Sequence, residues 1–418
     1  MDRFLIRGGQ RLTGTIQTSG SKNAALPALA ACLLTAEPVT LEGIPNVRDI
    51  NTMERLLAHT GASVKRDGNH VTVAATTLER PEAPYDVVKT MRASSLVLGP
   101  LVARAGVARV SMPGGCAIGA RPINLHVTAL ESLGATTHQD HGYIEARAPQ
   151  GLVGKLVTFD KITVTGTEDL LMAATLAHGE TIIENAAREP EVEDVANLLI
   201  KMGAKITGVG TSTLRIQGVA RLHGTHHRII PDRIEAGTFM IAAAITRGEV
   251  RIAGCQPAHL GALIAKLRQA GVTVEEQNAD TLLVRAGESL RSTDITTEEY
   301  PGFPTDLQAQ FMALMTQATG ISFVKENIFE NRFMHAPELA RMGANIRIEG
   351  RQAIVAGPTL LSGAQVMATD LRASASLVLA ALMATGETII DRVYHIDRGY
   401  ERIEQKLQGI GADIARTS

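Results

Sequence analysis

Six times in 418 residues a helical stretch closes on a glycine and runs straight into a strand start: Gly61-Ala62, Gly134-Ala135, Gly203-Ala204, Gly271-Val272, Gly343-Ala344 and Gly411-Ala412. The intervals between them are 68 to 73 residues. Glycine enters the left-handed backbone region without a Cβ clash, so a glycine after a helix reads as its C-terminal cap. One such glycine constrains little. Six at a near-constant interval require a duplicated unit, and duplication narrows the fold before any catalytic motif is considered. It also directs attention to the places where the copies differ.

Each copy reads helix, strand, helix, then strands. Copy one has the apolar run 24–34, the strand VTLEGI (39–44) and a helix over 48–61; copy six has 374–384, ETIIDRV (387–393) and a helix predicted over 397–411. The first helix of each pair is apolar almost all round, which predicts burial on every side. The second carries apolar residues at helical spacing, as in Ile403, Leu407 and Ile410, and is amphipathic. β-branched clusters such as Thr181-Ile182-Ile183 and Thr388-Ile389-Ile390 support the strands between. A period near 70 residues exceeds that of a solenoid, so the six copies predict two compact α/β domains of three copies each. The break between copies three and four falls in the loosely patterned 221–233, at Ile230-Pro231. The strand RFLIRGG (3–9) precedes copy one.

A net charge of −2, 3% aromatic residues and no Trp weigh against a nucleic-acid binder, which would want a basic face or stacking platforms. No apolar run reaches the ~18 residues of a membrane-spanning helix. Met1-Asp2-Arg3 leads into a strand rather than a signal-peptide core. Three cysteines without framework spacing fit free thiols in a reducing cytoplasm.

Cations recur where helices begin. The first helices of the copies start near Lys22-Asn23, Arg92, Thr165 to Thr167, Arg233, Asp306 and Asp370 to Arg372; the second start near Arg48, Arg121, Arg188, Pro257, Arg332 and Arg398. A helix N-terminus is already partly positive, so a cation there is unfavourable unless an anion is bound or an acid such as Asp49 or Glu189 pairs with it. An anionic ligand is the simpler account of the whole set.

PGGCAIGARP (113–122) is a glycine- and proline-rich loop with Cys116 at its centre and Arg121 five residues on. A neighbouring cation activates a thiol, although a small residue on a loop is the plainer alternative. Cys32, inside an apolar helix, reads as inert core, and Cys255 follows a strand with no activating neighbour. Asp306, after Pro304-Thr305 at a helix start, is either an N-cap or a general base, and Asp370 carries the same two readings. HGTHH (223–227) lacks helical His spacing and a nearby ligand set, so it reads as a solvated loop rather than a metal site. No Walker, dinucleotide-binding or nucleophile-elbow motif is present.

The segments SGSKNAALP (19–27), KTMRAS (89–94), SMPGGCAIGARP (111–122), ENAAREPE (184–191), PDRIEAGTF (231–239), FPTDLQAQF (303–311), ENRFMH (330–335), SGAQVMATDLRASASLVLA (362–380) and YHIDRGYERIE (394–404) together resemble the enolpyruvyl transferases. Within that family they are most similar to the branch whose acceptor is a nucleotide sugar. The resemblance spans the chain in order. It implies two inside-out α/β domains, residues 1–21 with 230–418 and residues 22–229, each of three repeated units of about 70 residues, with the active site in the cleft between them.

The reaction it implies transfers the enolpyruvyl group of phosphoenolpyruvate to the 3′-hydroxyl of UDP-N-acetylglucosamine, releasing phosphate at the start of peptidoglycan synthesis. Addition gives a tetrahedral intermediate, and elimination follows. By this resemblance Lys22, Asn23, Arg121 and Arg398 hold the phosphate of phosphoenolpyruvate, and Arg332 and Arg372 take its carboxylate side, with Asp370 close by. Cys116 delivers a proton to the methylene carbon, and Asp306 accepts the proton of the sugar hydroxyl. Lys22 and Arg398 also act in catalysis. Arg92, the segment Arg121, Pro122, Ile123, Asn124 and Leu125, the segment Lys161, Ile162, Thr163 and Val164, and Ile328 contact the nucleotide sugar. The stretch Thr165 to Glu168 departs from the small-residue pattern of the family. A cysteine at position 116 implies alkylation by the epoxide fosfomycin. No metal or organic cofactor and no nucleic-acid partner are implied. The sister enzymes that act on shikimate 3-phosphate share the cations but not the cysteine loop. A non-catalytic anion-binding protein on the same scaffold would keep the arginines without needing Cys116 or Asp306.

Overall fold

The computed structural model describes residues 2–112 and 123–417. They divide into two compact units, one of residues 2–19 and 231–417, the other of residues 20–112 and 123–230. Each contains three sheets of one design. In the second unit the sheets run Leu156–Thr158, Glu180–Glu184, Thr213–Gln217, Lys205–Thr207; His226–Arg228, Val39–Glu42, His70–Ala74, Ser63–Asp67; and Glu82–Ala83, Val107–Ser111, Tyr143–Arg147, Thr136–Asp140. In all three the first pairing is parallel and the next two are antiparallel.

The first unit repeats this pattern. Thr13–Gln17 lies parallel to Glu249–Ala253, Leu290–Arg291 to Ala318–Lys325, and Gln365–Met367 to Glu387–Asp391. Two antiparallel strands follow in each sheet, in the last Arg3–Arg7 and Asp413–Thr417, and the middle sheet adds a fifth strand, Ile295–Thr296, parallel to Ala318–Lys325. Parallel strands require a crossover, and the first helix of the copy provides it, as Val164–Ala174 does between Leu156–Thr158 and Glu180–Glu184. The chain closes each unit by exchange at its ends. Both N-terminal strands join sheets of the unit carrying 231–417, while His226–Arg228 returns to the sheet of Val39–Glu42.

Burial explains the layering. Leu371–Ala381 is buried at all eleven positions, Arg233–Ile245 at twelve of thirteen and Lys22–Ala31 at nine of ten. These helices pack against other helices in the middle of each unit, and the sheets wrap them. The strands Glu180–Glu184 and Glu387–Asp391 bury alternate residues, one face inward and one to solvent. Each unit is thus an inside-out α/β domain. All six repeat glycines have φ between 90° and 105°, the left-handed conformation that ends a helix.

The run 397–411 is not one helix. A 3₁₀ turn, Val393–Arg398, is followed by a short helix, Ile403–Gln408, with Arg402 between them at φ 47°. At Gly399 a Cβ would come within 2.6 Å of Leu371 Cδ2, so the chain is drawn against the buried helix and cannot continue its own. Arg398 therefore ends a turn rather than opening a helix. The 223–227 segment also departs from a solvated loop. His226 and His227 enter a strand, and His227 is buried, with Nε2 3.0 Å from Asp194 Oδ1 and Nδ1 3.2 Å from Lys201 Nζ. These partners lie 33 and 26 residues away, out of reach of local pattern reading. No cluster able to hold a metal ion occurs among the described residues.

Candidate active site

The Asp306 carboxylate is gripped from two sides. Arg332 Nη2 donates to Oδ1 at 2.9 Å, and Arg372 donates to Oδ2 from Nε at 3.1 Å and Nη2 at 2.9 Å. Asp306 lies in the 3₁₀ turn Thr305–Leu307 leading into Gln308–Met315, and its carboxylate is used by side chains rather than as a helix cap. Asp370 is the cap: its Oδ1 accepts from the amides of Arg372 and Ala373 at 2.8 and 3.1 Å. That bond fixes the first turn of Leu371–Ala381 and so aims Arg372.

Both arginines are buried, Arg332 at 4% and Arg372 at 3% exposure, while the Asp306 side chain keeps 26%. Burial disfavours the Arg372 charge, yet Asp306, with Tyr400 and Asp232 behind it, holds the guanidinium above its ordinary range. Its Cζ stands 5.4 Å from the Tyr400 ring centre, and the Tyr400 hydroxyl is tied to Thr238 at 2.9 Å and Gln310 at 3.2 Å. Nη1 of each arginine is buried without a hydrogen-bond partner among the described residues. Two charged donors are thus available to a further acceptor.

Two supports were not legible beforehand. Glu326 is fully buried; its Oε1 accepts from the Thr297 hydroxyl and the amides of Ile328 and Phe329, and its Oε2 from the Thr305 hydroxyl. One carboxylate therefore fixes the neighbour of Asp306 and the backbone at Ile328. Arg416, on the last strand, forks onto Asp397 at 2.6 and 3.0 Å and so steadies the turn that carries Arg398. Glu-Asn-Ile in the sequence hints at a turn but not at the reach to Thr305.

His335 follows Arg332 by three residues and is fully buried, with neither ring nitrogen hydrogen-bonded among the described residues. Burial pushes its pKa down to about 4, opposed by Asp370 and aided by the Arg332 charge. The ring is neutral in the fold, whereas the unfolded chain takes a proton below about 6.5. Its contribution is complete above that pH and is lost as pH falls toward 4, about 3 kcal/mol in all. Thermal midpoints of wild type and His335→Gln measured from pH 7.5 to 4.5 should converge as pH drops; parallel curves would contradict this.

In the other unit, Lys22 opens Lys22–Ala31 behind the Ser21 cap, is 8% exposed, and has Nζ 3.4 Å from Asp49 Oδ2. Asn23 follows at half burial. Arg92 starts a 3₁₀ turn. Ile123 is buried before the helix Asn124–Ser132, which begins with exposed Asn124 and half-buried Leu125. Lys161 and Ile162 lead to Thr163, which caps Val164–Ala174 by accepting from Gly166 at 3.2 Å. His126 Nε2 lies 3.1 Å from Thr165 Oγ1, which brings these two segments together. Cys116, Arg121 and Pro122 lie outside the described residues. Cys32 and Cys255 are free and buried; burial pushes the Cys32 thiol far up and that of Cys255 to about 11, which makes both inert.

Arg48 and Arg233 do open helices, as Lys22 does, whereas Arg188 and Arg332 precede theirs by a few residues. Lys22, Arg332 and Arg372 each have an acid within reach, so pairing accounts for part of the cation pattern.

The sequence profile of EPSP synthase (3-phosphoshikimate 1-carboxyvinyltransferase) matches residues 6–407. The chain is 69% identical over 416 residues to the UDP-N-acetylglucosamine 1-carboxyvinyltransferase of Solibacter usitatus (strain Ellin6076), covering 100% of both. It is 66% identical over 420 residues to the protein of the same name from Koribacter versatilis (strain Ellin345), covering 100% of this chain and 96% of that one. Among solved structures, the enolpyruvyl transferase NikO from Streptomyces tendae superposes with a TM-score of 0.90 at 28% identity, over 100% of this chain and 99% of that one. EPSP synthase from Acinetobacter baumannii, at 19% identity and a TM-score of 0.77 over 100% of both chains, shares the fold. Matched over nearly its whole length, with the repeated inside-out domains in place, the chain belongs to the enolpyruvyl (1-carboxyvinyl) transferase family.

Proposed function

We propose that this enzyme transfers the enolpyruvyl group of phosphoenolpyruvate to the 3′-hydroxyl of UDP-N-acetylglucosamine, releasing phosphate, as the first committed step of peptidoglycan synthesis. Full-length relatives at 69% and 66% identity bear the corresponding name. The observation that carries the chemistry is the Asp306 carboxylate held between two buried arginines, each with a spare charged donor.

A substrate carboxylate competes with Asp306 for Arg332 and Arg372, and a planar guanidinium suits it bidentately. As the arginines turn to the substrate, Asp306 loses stabilisation of its charge and becomes a better base for the sugar hydroxyl. The alkoxide oxygen attacks C2 of phosphoenolpyruvate while Cys116 protonates the methylene carbon. Lys22, Asn23, Arg121 and Arg398 hold the phosphate that leaves on elimination. Arg92, Ile123, Asn124, Leu125, the 161–164 segment and Ile328 hold the nucleotide sugar. Two buried free thiols and the choice of substrates fit a cytoplasmic enzyme; no helix among the described residues is long and apolar enough to cross a membrane.

Phosphate release from phosphoenolpyruvate, followed with UDP-N-acetylglucosamine or shikimate 3-phosphate as acceptor, tests the reading. Release with the nucleotide sugar alone is expected. Release with shikimate 3-phosphate would change the acceptor, and release with neither would favour a binding protein.

A further inference from the structure

A side-chain relay in the 20–230 unit ends in the hydroxyl of an exposed threonine that the roles above leave unused. Asp169 is 1% exposed, and its Oδ1 accepts from the Gly99 amide at 2.7 Å. Its Oδ2 lies 3.0 Å from His126 Nδ1, and His126 is 4% exposed. His126 Nε2 in turn lies 3.1 Å from Oγ1 of Thr165, the exposed second residue of Val164–Ala174. Nothing larger than glycine fits at position 99, where a Cβ would stand 2.4 Å from the Asp169 carbonyl oxygen and 2.7 Å from Oδ1. Three elements thus converge to bury a polar pair whose removal from water is costly and which apolar side chains could replace without loss of stability.

The order of bonds decides what the hydroxyl offers. A carboxylate that already accepts from an amide takes the Nδ1 proton of His126. In the neutral tautomer that this bond selects, Nε2 is a bare acceptor, and Thr165 donates its hydroxyl hydrogen inward. Its lone pairs are left facing outward. The threonine oxygen is therefore an acceptor, suited to an N–H or O–H group and unsuited to a phosphate oxygen, which has no hydrogen to give.

We propose that Thr165 is a specificity-determining contact that accepts a hydrogen bond from an N–H or O–H donor of the nucleotide-sugar acceptor, with His126 and Asp169 as positioning residues that set its polarity. The inference rests on the acceptor assigned above. Thr165 follows Val164 and His126 follows Leu125, so the relay joins the ends of the two segments given to that substrate. Asp169→Asn would turn an amide N–H toward Nδ1 and move the imidazole proton to Nε2. Thr165 would then accept from the ring and present a donor outward, reversing its polarity without removing it.

The test measures UDP-N-acetylglucosamine binding by calorimetry and steady-state kinetics with both substrates. Thr165→Val should weaken the nucleotide sugar about tenfold, the value of one hydrogen bond, with kcat and the KM for phosphoenolpyruvate nearly unchanged. Thr165→Ser should restore it. Asp169→Asn should weaken it by a similar factor, and the double variant Asp169→Asn, Thr165→Val should be no worse than either alone. Unchanged affinity in Thr165→Val, with wild type binding normally, overturns this inference alone. Losses that multiply in the double variant overturn the relay. A wild-type protein that binds no UDP-N-acetylglucosamine overturns the acceptor reading, and this one with it.

Discussion

Asp306→Asn is expected to lower turnover about a thousandfold, within the range that a positioned base contributes, while nucleotide-sugar binding holds within a few-fold. The substitution keeps the shape of the side chain and removes its charge. One amide oxygen can still accept from Arg332 or Arg372, but the amide nitrogen then faces the donors of the other. Two buried arginines lose their shared counter-charge, so a lower thermal midpoint should accompany the lost turnover. Phosphate release at saturating substrates, with binding measured separately, distinguishes the outcomes. Near-normal turnover would remove Asp306 from the chemistry and return it to a structural ion pair.

Arg372→Lys is expected to cost about a hundredfold in kcat/KM for phosphoenolpyruvate, roughly 3 kcal/mol of transition-state stabilisation. Arg372 reaches Asp306 through two nitrogens and keeps a third buried and unpartnered among the described residues. A lysine supplies one point charge in place of that fork, and it loses the packing of a planar group over the Tyr400 ring. Affinity for the nucleotide sugar should change little. A loss confined to the nucleotide sugar, with phosphoenolpyruvate kinetics intact, would place Arg372 on the other substrate.

The repeat, the buried first helices and the six helix caps were legible because each is written in neighbouring residues. A left-handed glycine and an all-round apolar run act over one or two turns of chain. The failure at 397–411 has the opposite origin. Helical spacing was present there, but Gly399 is drawn against Leu371 and Arg402 takes a left-handed turn, so packing overrode the pattern. His227 departs from its local pattern for a related reason, since its carboxylate and ammonium neighbours arrive from the helix Pro190–Lys201. For Asp306 and Asp370 the residues allowed both a cap and a functional carboxylate; the fold makes Asp370 a cap and pairs Asp306 with two arginines.

The sequence by itself determined the duplicated unit, its α/β class and its family, because short-range backbone chemistry and contiguous motifs carry those. Tertiary structure alone decided which charges meet. Asp306 joins Arg332 and Arg372 across 26 and 66 residues, and Thr165 joins His126 across 39. Such pairings follow from how buried helices and their caps stack in each unit. A change of about an ångström in that stacking breaks a hydrogen bond that no local pattern records.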